Sequence, residues 1–359
     1  MQKLVLLITL TLCLHSVKAQ DRLDYVAVGY TPGFLLAHRA DIKHLASHNF
    51  GLELSYEKNT SNTDWGSYYN KPTVGYSLLY YNIGNSITGH GIGGFMNVKF
   101  NLFSLGKTET KFRMGAGLGY LTEKFDIQDN RRNQAIGSNL NGSMQFAFLF
   151  HTDIKKWNSY AEYGIGISHY SNAAYRMPNL GYNMPAFFFR YGVGVSREEN
   201  TKQRNSLDSL RNWRLATTLV YSKKQRNFSN PVDISIKGVQ VKAIKSSNEI
   251  RAWRFGLDAM LDKSYKYTED PTLNLDEVSV IDQLELGLAA GYQWSFGSID
   301  AYGEVGAYVY KPAVLKNPLY QRMGVIYNLT DKVKMQGALK FHKGVADYFE
   351  TGITYHFTK

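Results

Sequence analysis

The feature that most constrains this chain is a strict two-residue alternation that recurs almost to its end. From Phe112, one row reads Phe112, Met114, Ala116, Leu118, Tyr120 and the other Arg113, Gly115, Gly117, Gly119. From Leu284 the apolar row is Leu284, Leu286, Leu288, Ala290, Tyr292, Trp294, Phe296, with Glu285, Gly287, Ala289, Gly291, Gln293 and Ser295 between them. The rows starting at Trp213 and Trp253 repeat the pattern, with Arg214, Arg254, Asp258 and Asp262 opposite. Such alternation is the signature of β-strands whose two faces meet different surroundings. In a soluble sandwich the polar face would be solvent, and so many glycines would weaken the strands for no gain. In a transmembrane barrel the apolar face meets lipid, terminal aromatics form the interfacial girdles, and the polar face lines the lumen. The strands run about ten residues or more, as a tilted membrane strand must.

The expected fold is therefore all-β: a transmembrane, antiparallel outer-membrane β-barrel. Candidate strands begin near Tyr25, Phe50, Thr73, Gly91, Lys111, Asn141, Trp157, Ala186, Trp213, Ile234, Ile250, Gln283, Ile299, Tyr320, Val333 and Tyr348. Some of these could lie outside the wall, and even strand numbers are preferred. The expectation is twelve to sixteen strands, with fourteen as the central value, in a single barrel over residues 20–359. The last strand, through Thr351, Ile353, Tyr355 and Phe357, has the aromatic end typical of a closing strand. Polar stretches at Ser196–Leu210, Asp262–Val280 and Asp126–Asn141 read as loops.

Residues 1–19 read as an export signal, with Lys3, an apolar run from Leu4 to Leu14, and Val17-Lys18-Ala19 ahead of Gln20. That run is too short to span a bilayer as a helix. The one cysteine, Cys13, lies within it, so no disulfide or cysteine-ligated metal is expected in the exported chain. Of the ionisable residues, 41 are Lys or Arg and 30 Asp or Glu, a net charge of +11. Export argues against a nucleic-acid partner for that charge. Basic loops and a basic barrel interior are one account of it, attraction to anionic lipid headgroups another.

The stretch Ile165–Pro185, IGISHYSNAAYRMPNLGYNMP, carries the chemistry. In a strand, His169 and Ser171 share a face with Tyr163, Ile165 and Ile167, which by the pattern elsewhere is the lipid face. A polar loop that happens to hold both residues explains the pair taken alone. A histidine and a serine that continue a lipid-facing row are harder to explain, because polar groups there lose water. The connection Lys155–Asn158 is short and Asn172–Met184 is long, so the pair falls at the outer rim. Serine beside histidine is the minimal nucleophile and base for acyl transfer, and from this position it would act on an acyl ester of a membrane lipid.

The run H-x-S-N-A, then Pro178-Asn179, then Gly181, resembles the active-site signature of the outer-membrane lipid A 3-O-deacylases and the related barrels described as acyloxyacyl hydrolases. A looser likeness extends upstream through WGSYYNKPTVGYSLLYYNIGN and DNRRNQAIGSNLN, and nothing after Tyr221 takes part in it. The resemblance implies Ser171 as nucleophile, His169 as general base, and Asn179 or backbone amides near Asn172 as oxyanion donors. Those are roles that acyl transfer needs in any case. It implies no cofactor and no metal, and as partner the lipid A of lipopolysaccharide, or phospholipid, in the outer leaflet. Two positions depart from the pattern. The acidic residue expected twelve places after the serine is Asn183, and a glycine expected three places after it is Ala174. An amide oxygen can still fix the imidazole tautomer, as in Cys-His-Asn proteases. Outer-membrane phospholipases A also show H-x-S-N, with asparagine as third member. The expected activity is therefore that of a serine esterase on lipid A. A phospholipase A-type hydrolase and a non-catalytic barrel, either pore or structural protein, are the alternatives.

Other candidates are weaker. His38, His44 and His48 lack an evident further ligand and read as a solvated loop. Asp126, Asp129 and Asn130 could offer oxygens to calcium, but without the spacing of an EF-hand loop. Glu162 sits an odd number of residues from His169 and so falls on the luminal face. Arg190, opposite Phe189 and Tyr191, is expected in a luminal ion pair.

Overall fold

A computed structural model describes residues 23–195, 213–226, 231–267, 279–311 and 317–357. The expected signal segment 1–19 and the expected loop at Ser196–Leu210 lie outside these residues. Sixteen strands are present: β1 (Asp24–Leu35), β2 (Ser47–Asn59), β3 (Thr73–Asn82), β4 (His90–Leu105), β5 (Thr108–Leu121), β6 (Leu140–Ile154), β7 (Ser159–Ser171), β8 (Tyr182–Val195), β9 (Trp213–Gln225), β10 (Asp233–Asn248), β11 (Arg251–Asp262), β12 (Leu284–Phe296), β13 (Ile299–Tyr310), β14 (Leu319–Asn328), β15 (Val333–His342) and β16 (Val345–Phe357). Among the described residues one short α-helix, α1 (Asp64–Tyr68), is capped by Thr63, whose Oγ1 accepts the Gly66 N–H at 3.1 Å.

The strands do not form one barrel of fourteen. They form two closed barrels of eight, β1–β8 and β9–β16. Every neighbour pair is antiparallel, and β8 returns to β1 through pairs such as Gly29 with Arg190. In the second barrel β16 returns to β9 through Ile353 with Leu219. The single-barrel expectation fails because alternation reports which way a side chain faces and not which strand a given edge meets. An eight-stranded wall encloses only enough room for its own side chains, and each half of this chain supplies a self-sufficient filling.

In the first lumen Glu53, Glu57 and Glu162 face Lys99, Arg113 and Arg190. Arg190 holds Glu162 at 2.5 Å and Glu57 at 2.6 Å, Lys99 bridges Glu57 and Glu162 at 2.7 Å each, and Arg113 holds Glu53 at 2.5 Å. In the second, Asp258, Glu304 and Glu350 face Lys242, Arg254 and Arg322. Arg322 reaches Asp258 at 2.7 Å and Glu350 at 2.8 Å, and Glu304 takes Arg254 at 2.9 Å. Three carboxylates meet three cations in each of these networks, and further pairs line the second lumen, among them Lys340 with Glu285 and Lys224 with Asp262. Arg113 and Arg322 are fully buried, whereas Leu78 on the outer face is 65 % exposed and Leu219 64 %. That inversion is what lipid outside and ion pairs inside require. At the inner end of the second barrel Trp213, Phe255, Trp253, Tyr292 and Trp294 form a chain of ring contacts, a girdle at headgroup level.

The two barrels touch at both ends. At the inner end Tyr69, next to α1, stacks on Phe296 with ring centroids 4.8 Å apart, and Tyr68 donates its hydroxyl to Glu249. At the outer end the connection between β7 and β8 meets β9 and β10. Arg190→Ala would leave Glu57 and Glu162 short of their guanidinium in a dry lumen, which costs about 3–5 kcal/mol. The expected result is a lower urea midpoint for the first barrel, read by the gel mobility shift between folded and unfolded barrel.

Candidate active site at the outer rim

Strand β7 places the site. Its luminal residues Ser168 and Tyr170 are buried, and the Ser168 hydroxyl is shared with Tyr81 Oη at 2.8 Å and Gln145 Nε2 at 3.0 Å. Those contacts fix the rotation of the strand, so His169 and Ser171 continue the outward row of Tyr163, Ile165 and Ile167. Both are partly exposed, Ser171 on the last residue of β7 and His169 one pleat below it. Short connections at 106–107 and 155–158 mark the opposite end as the inner one.

His169 lies directly across the ladder from Asn183 on β8. Its Nδ1 is 2.7 Å from Asn183 Oδ1. A carbonyl oxygen only accepts, so Nδ1 carries the proton and Nε2 keeps its lone pair. The Asn183 Nδ2 group is in turn 3.2 Å from His38 Nδ1, which accepts from it. His38 thus belongs to the row His169–Asn183–His38, not to a cluster with His44 and His48. His44 instead donates its Nε2–H to Arg132 O at 2.7 Å. Among the described residues no group of three or more His, Cys, Asp or Glu side chains gathers as a metal site. Sequence reading placed His38 in a loop and missed this contact, which joins residues 145 positions apart.

The connection after Ser171 is a tight turn. Tyr175 N–H donates to Asn172 O at 3.0 Å, and the two central residues have positive φ, 51° at Ala173 and 61° at Ala174. That is the geometry of a type I′ turn, which favours Asn-Gly and similar pairs. Ala174, where the family pattern has glycine, is thus in a conformation glycine adopts more cheaply. Asn172 closes the loop from both of its amides. Its backbone N–H donates to Asn179 Oδ1 at 2.9 Å and its Nδ2 to Ser138 Oγ at 2.8 Å. The Asn172 N–H is therefore engaged within the loop, while Asn179 retains Nδ2 as a donor. The connection between β5 and β6 packs on top, with Gly181 N–H donating to Ala135 O at 3.0 Å and Ile136 bridging Asn179.

Two further candidates have plain structural duties. Asp126 Oδ1 accepts the N–H groups of Gln128 at 2.8 Å and Asp129 at 3.2 Å, an Asx turn that holds its carboxyl below the usual range. Glu162 lies in the lumen among Lys99, Arg190 and His151.

Below the pair, on the same outer face, is an apolar hollow of about 420 Å³. Ile165, Ile167, Pro185, Phe187, Phe146 and Phe148 form its walls, with Gly33, Ala147, Gly166 and Ala186 also in its lining. Gly181 clears the upper part of the site. Its φ is +79°, and a Cβ there would sit 2.7 Å from His169 Cε1. Gly181→Ala would therefore cost about 1–2 kcal/mol in backbone strain and displace the imidazole. NMR of the His169 ring nitrogens should show the fixed Nδ1–H tautomer lost while the rest of the barrel spectrum is retained.

The chain is similar to known proteins in both halves. Residues 50–192 match the lipid A 3-O-deacylase (PagL) family, and residues 213–359 match the acyloxyacyl hydrolase C-terminal domain. No curated protein matches the chain. Among solved structures, the outer membrane enzyme PagL aligns at 15% identity over 46% of this chain and 97% of its own, with a TM-score of 0.31. A triple mutant of the Rhodopseudomonas blastica porin aligns at 9% identity over 93% of this chain and 99% of its own, with a TM-score of 0.17. The chain is thus a two-barrel outer-membrane protein whose first barrel matches the lipid A 3-O-deacylase family model and whose second matches the model of the acyloxyacyl hydrolase C-terminal domain.

Proposed function

We propose that the chain is an outer-membrane serine esterase that removes an ester-linked acyl chain from lipid A in the outer leaflet. The observation that carries this reading is the His169–Asn183 hydrogen bond, made on the lipid-facing side of the rim above an apolar hollow. With Nδ1–H held by Asn183, Nε2 is the base available to the Ser171 hydroxyl. Ser171 Oγ attacks the ester carbonyl, its proton passes to Nε2, and the carbonyl oxygen becomes an oxyanion. Asn179 Nδ2 is assigned to that oxyanion, held in place because Oδ1 of the same side chain accepts the Asn172 N–H. Collapse breaks the ester C–O bond, and the departing sugar oxygen takes the proton from His169 to leave as a hydroxyl. Water, activated by the same base, then releases the fatty acid from the acyl-enzyme. The scissile chain would lie against Ile165, Ile167 and Phe187, where lipid already meets the barrel.

One observation favours a second reading. An asparagine bonded to the histidine is the third member found in outer-membrane phospholipases A, so phospholipid deacylation by the same residues is the runner-up. The pore reading gains nothing from lumens packed with buried ion pairs.

Mass spectrometry of lipid A and phospholipids from a Gram-negative host expressing the intact chain separates these readings, with Ser171→Ala as control. A lipid A lighter by one acyl chain, absent in the control, is the expected outcome. Lysophospholipid over unchanged lipid A would transfer the assignment to phospholipid, and no lipid change from a folded protein would overturn both. Asn183→Ala should lower kcat about ten- to a hundred-fold through loss of the imidazole's orientation. Asn183→Asp should match or exceed the parent chain, since a carboxylate stabilises the imidazolium better. Ile167→Trp, which fills the hollow, should raise KM for long-chain esters while leaving short-chain ester hydrolysis in place.

A further inference from the structure

The second barrel reaches the connection beside the first barrel's site chiefly through Gln225. Gln225 is the last residue of β9, 9 % exposed, at the outer end of its strand. Its backbone N–H donates to Ala174 O at 2.9 Å, and its side-chain Oε1 accepts the Met177 N–H at 2.8 Å. Asp233, across the ladder from Gln225 on β10, takes the Arg176 guanidinium. The middle of the 172–181 connection is therefore tied to the second barrel at three successive points, residues 174, 176 and 177. The first barrel secures the two ends, Asn172 through Ser138 and Gly181 through Ala135.

We propose that Gln225 is a positioning residue for the Ser171 site, and that this is what the second barrel contributes to the reaction. Two features of the connection give the clamp something to do. Ala173 and Ala174 occupy the left-handed region without being glycine, so the turn carries strain and relaxes unless it is held from outside. Gln225 takes the carbonyl of the second of these residues. Met177, whose amide it also takes, lies two residues before Asn179, the side chain that holds the Asn172 N–H and carries the donor assigned to the oxyanion. Released at 177, the segment would swing Asn179 away from the end of β7, since the bond to Ala174 is made by the Gln225 backbone N–H and stays. A donor displaced by an ångström no longer meets the developing charge. The catalytic part of this inference rests on the esterase reading above; the clamp itself does not.

The test uses the intact chain in lipid nanodiscs, comparing Gln225→Ala, Gln225→Glu and Ser171→Ala. Hydrogen exchange of the peptide spanning 172–181 reads the clamp without reference to activity. Gln225→Ala should speed exchange at Met177 at least ten-fold and leave β6 and the inner half of β7 unchanged, and Gln225→Glu, which keeps an acceptor oxygen, should restore protection. Unchanged exchange at Met177 in Gln225→Ala would overturn the clamp. Turnover of the lipid substrate reads the positioning role. The expected result is kcat reduced about ten-fold with KM little altered in Gln225→Ala, and recovery in Gln225→Glu. Faster exchange with unaltered kcat would overturn the positioning role. A parent chain no more active than Ser171→Ala would instead refute the esterase reading, with the exchange data still deciding the clamp.

Discussion

Lipid offers the backbone no hydrogen-bond partners, so a sheet that crosses it must have no open edge. Everything in this molecule follows from where the edges meet. Closure of β8 on β1 and of β16 on β9 turns one run of sixteen strands into two walls. It also sets what each wall can contain. Eight strands leave no bore wider than their own side chains, so polar luminal residues must satisfy one another or be absent. The two interiors do so with ion networks centred on Glu53, Glu57 and Glu162 in the first and on Asp258, Glu304 and Glu350 in the second. Ser77 and Gln145 accept from Arg113, while Gln240 donates to Glu350 and Tyr320 to Asp258. An ion network buried this deeply gains little over an apolar filling. It costs a great deal once a member is lost, and so it ties the register of distant strands together.

A sealed lumen moves function to the outside. With the interior filled and the mouth of the first barrel plugged by Leu35, Ile42, Leu45, Ile83, Ala135 and Ile136, a reactive group can meet substrate only at the rim or on the wall. His169 and Ser171 occupy the place where both conditions hold: high enough for the long outer connections to enclose them, and on the face where acyl chains lie. The pleat that buries Ser168 and Tyr170 is the same pleat that turns the pair outward. Membrane insertion and site presentation are therefore one constraint seen from two faces of a strand.

Much of this was legible in residues. Alternation marked all sixteen strands, the widest offset being at β8, where Ala186 was expected and Tyr182 observed. It also placed Arg190 and Glu162 inside and His169 outside, because the face a side chain takes is a local property of the chain. Closure was not legible, since it depends on which edges pair across about 170 residues, and both halves carry the same period. The partners of the site were hidden for the same reason. His38 lies 145 residues from Asn183 and Gln225 lies 48 from Met177; neither carries a local pattern that distinguishes it from a polar residue at a strand end.

The two departures from the family pattern have one physical explanation. Asparagine at 183 and alanine at 174 each weaken something that a carboxylate and a glycine would supply alone. In both cases a neighbour stands where the deficit arises. The neutral Asn183 gives the imidazole less electrostatic support than a carboxylate. Its amide is nevertheless fixed at both ends, by His169 on Oδ1 and by His38 on Nδ2, so orientation is kept where charge is lost. Ala174 is held in a conformation it does not favour by a hydrogen bond from the second barrel. A chain that carries its own brace can tolerate a turn residue that an unbraced loop could not. On this view the second barrel and the substitution at 174 belong together, because the strain at one is borne by the contact with the other.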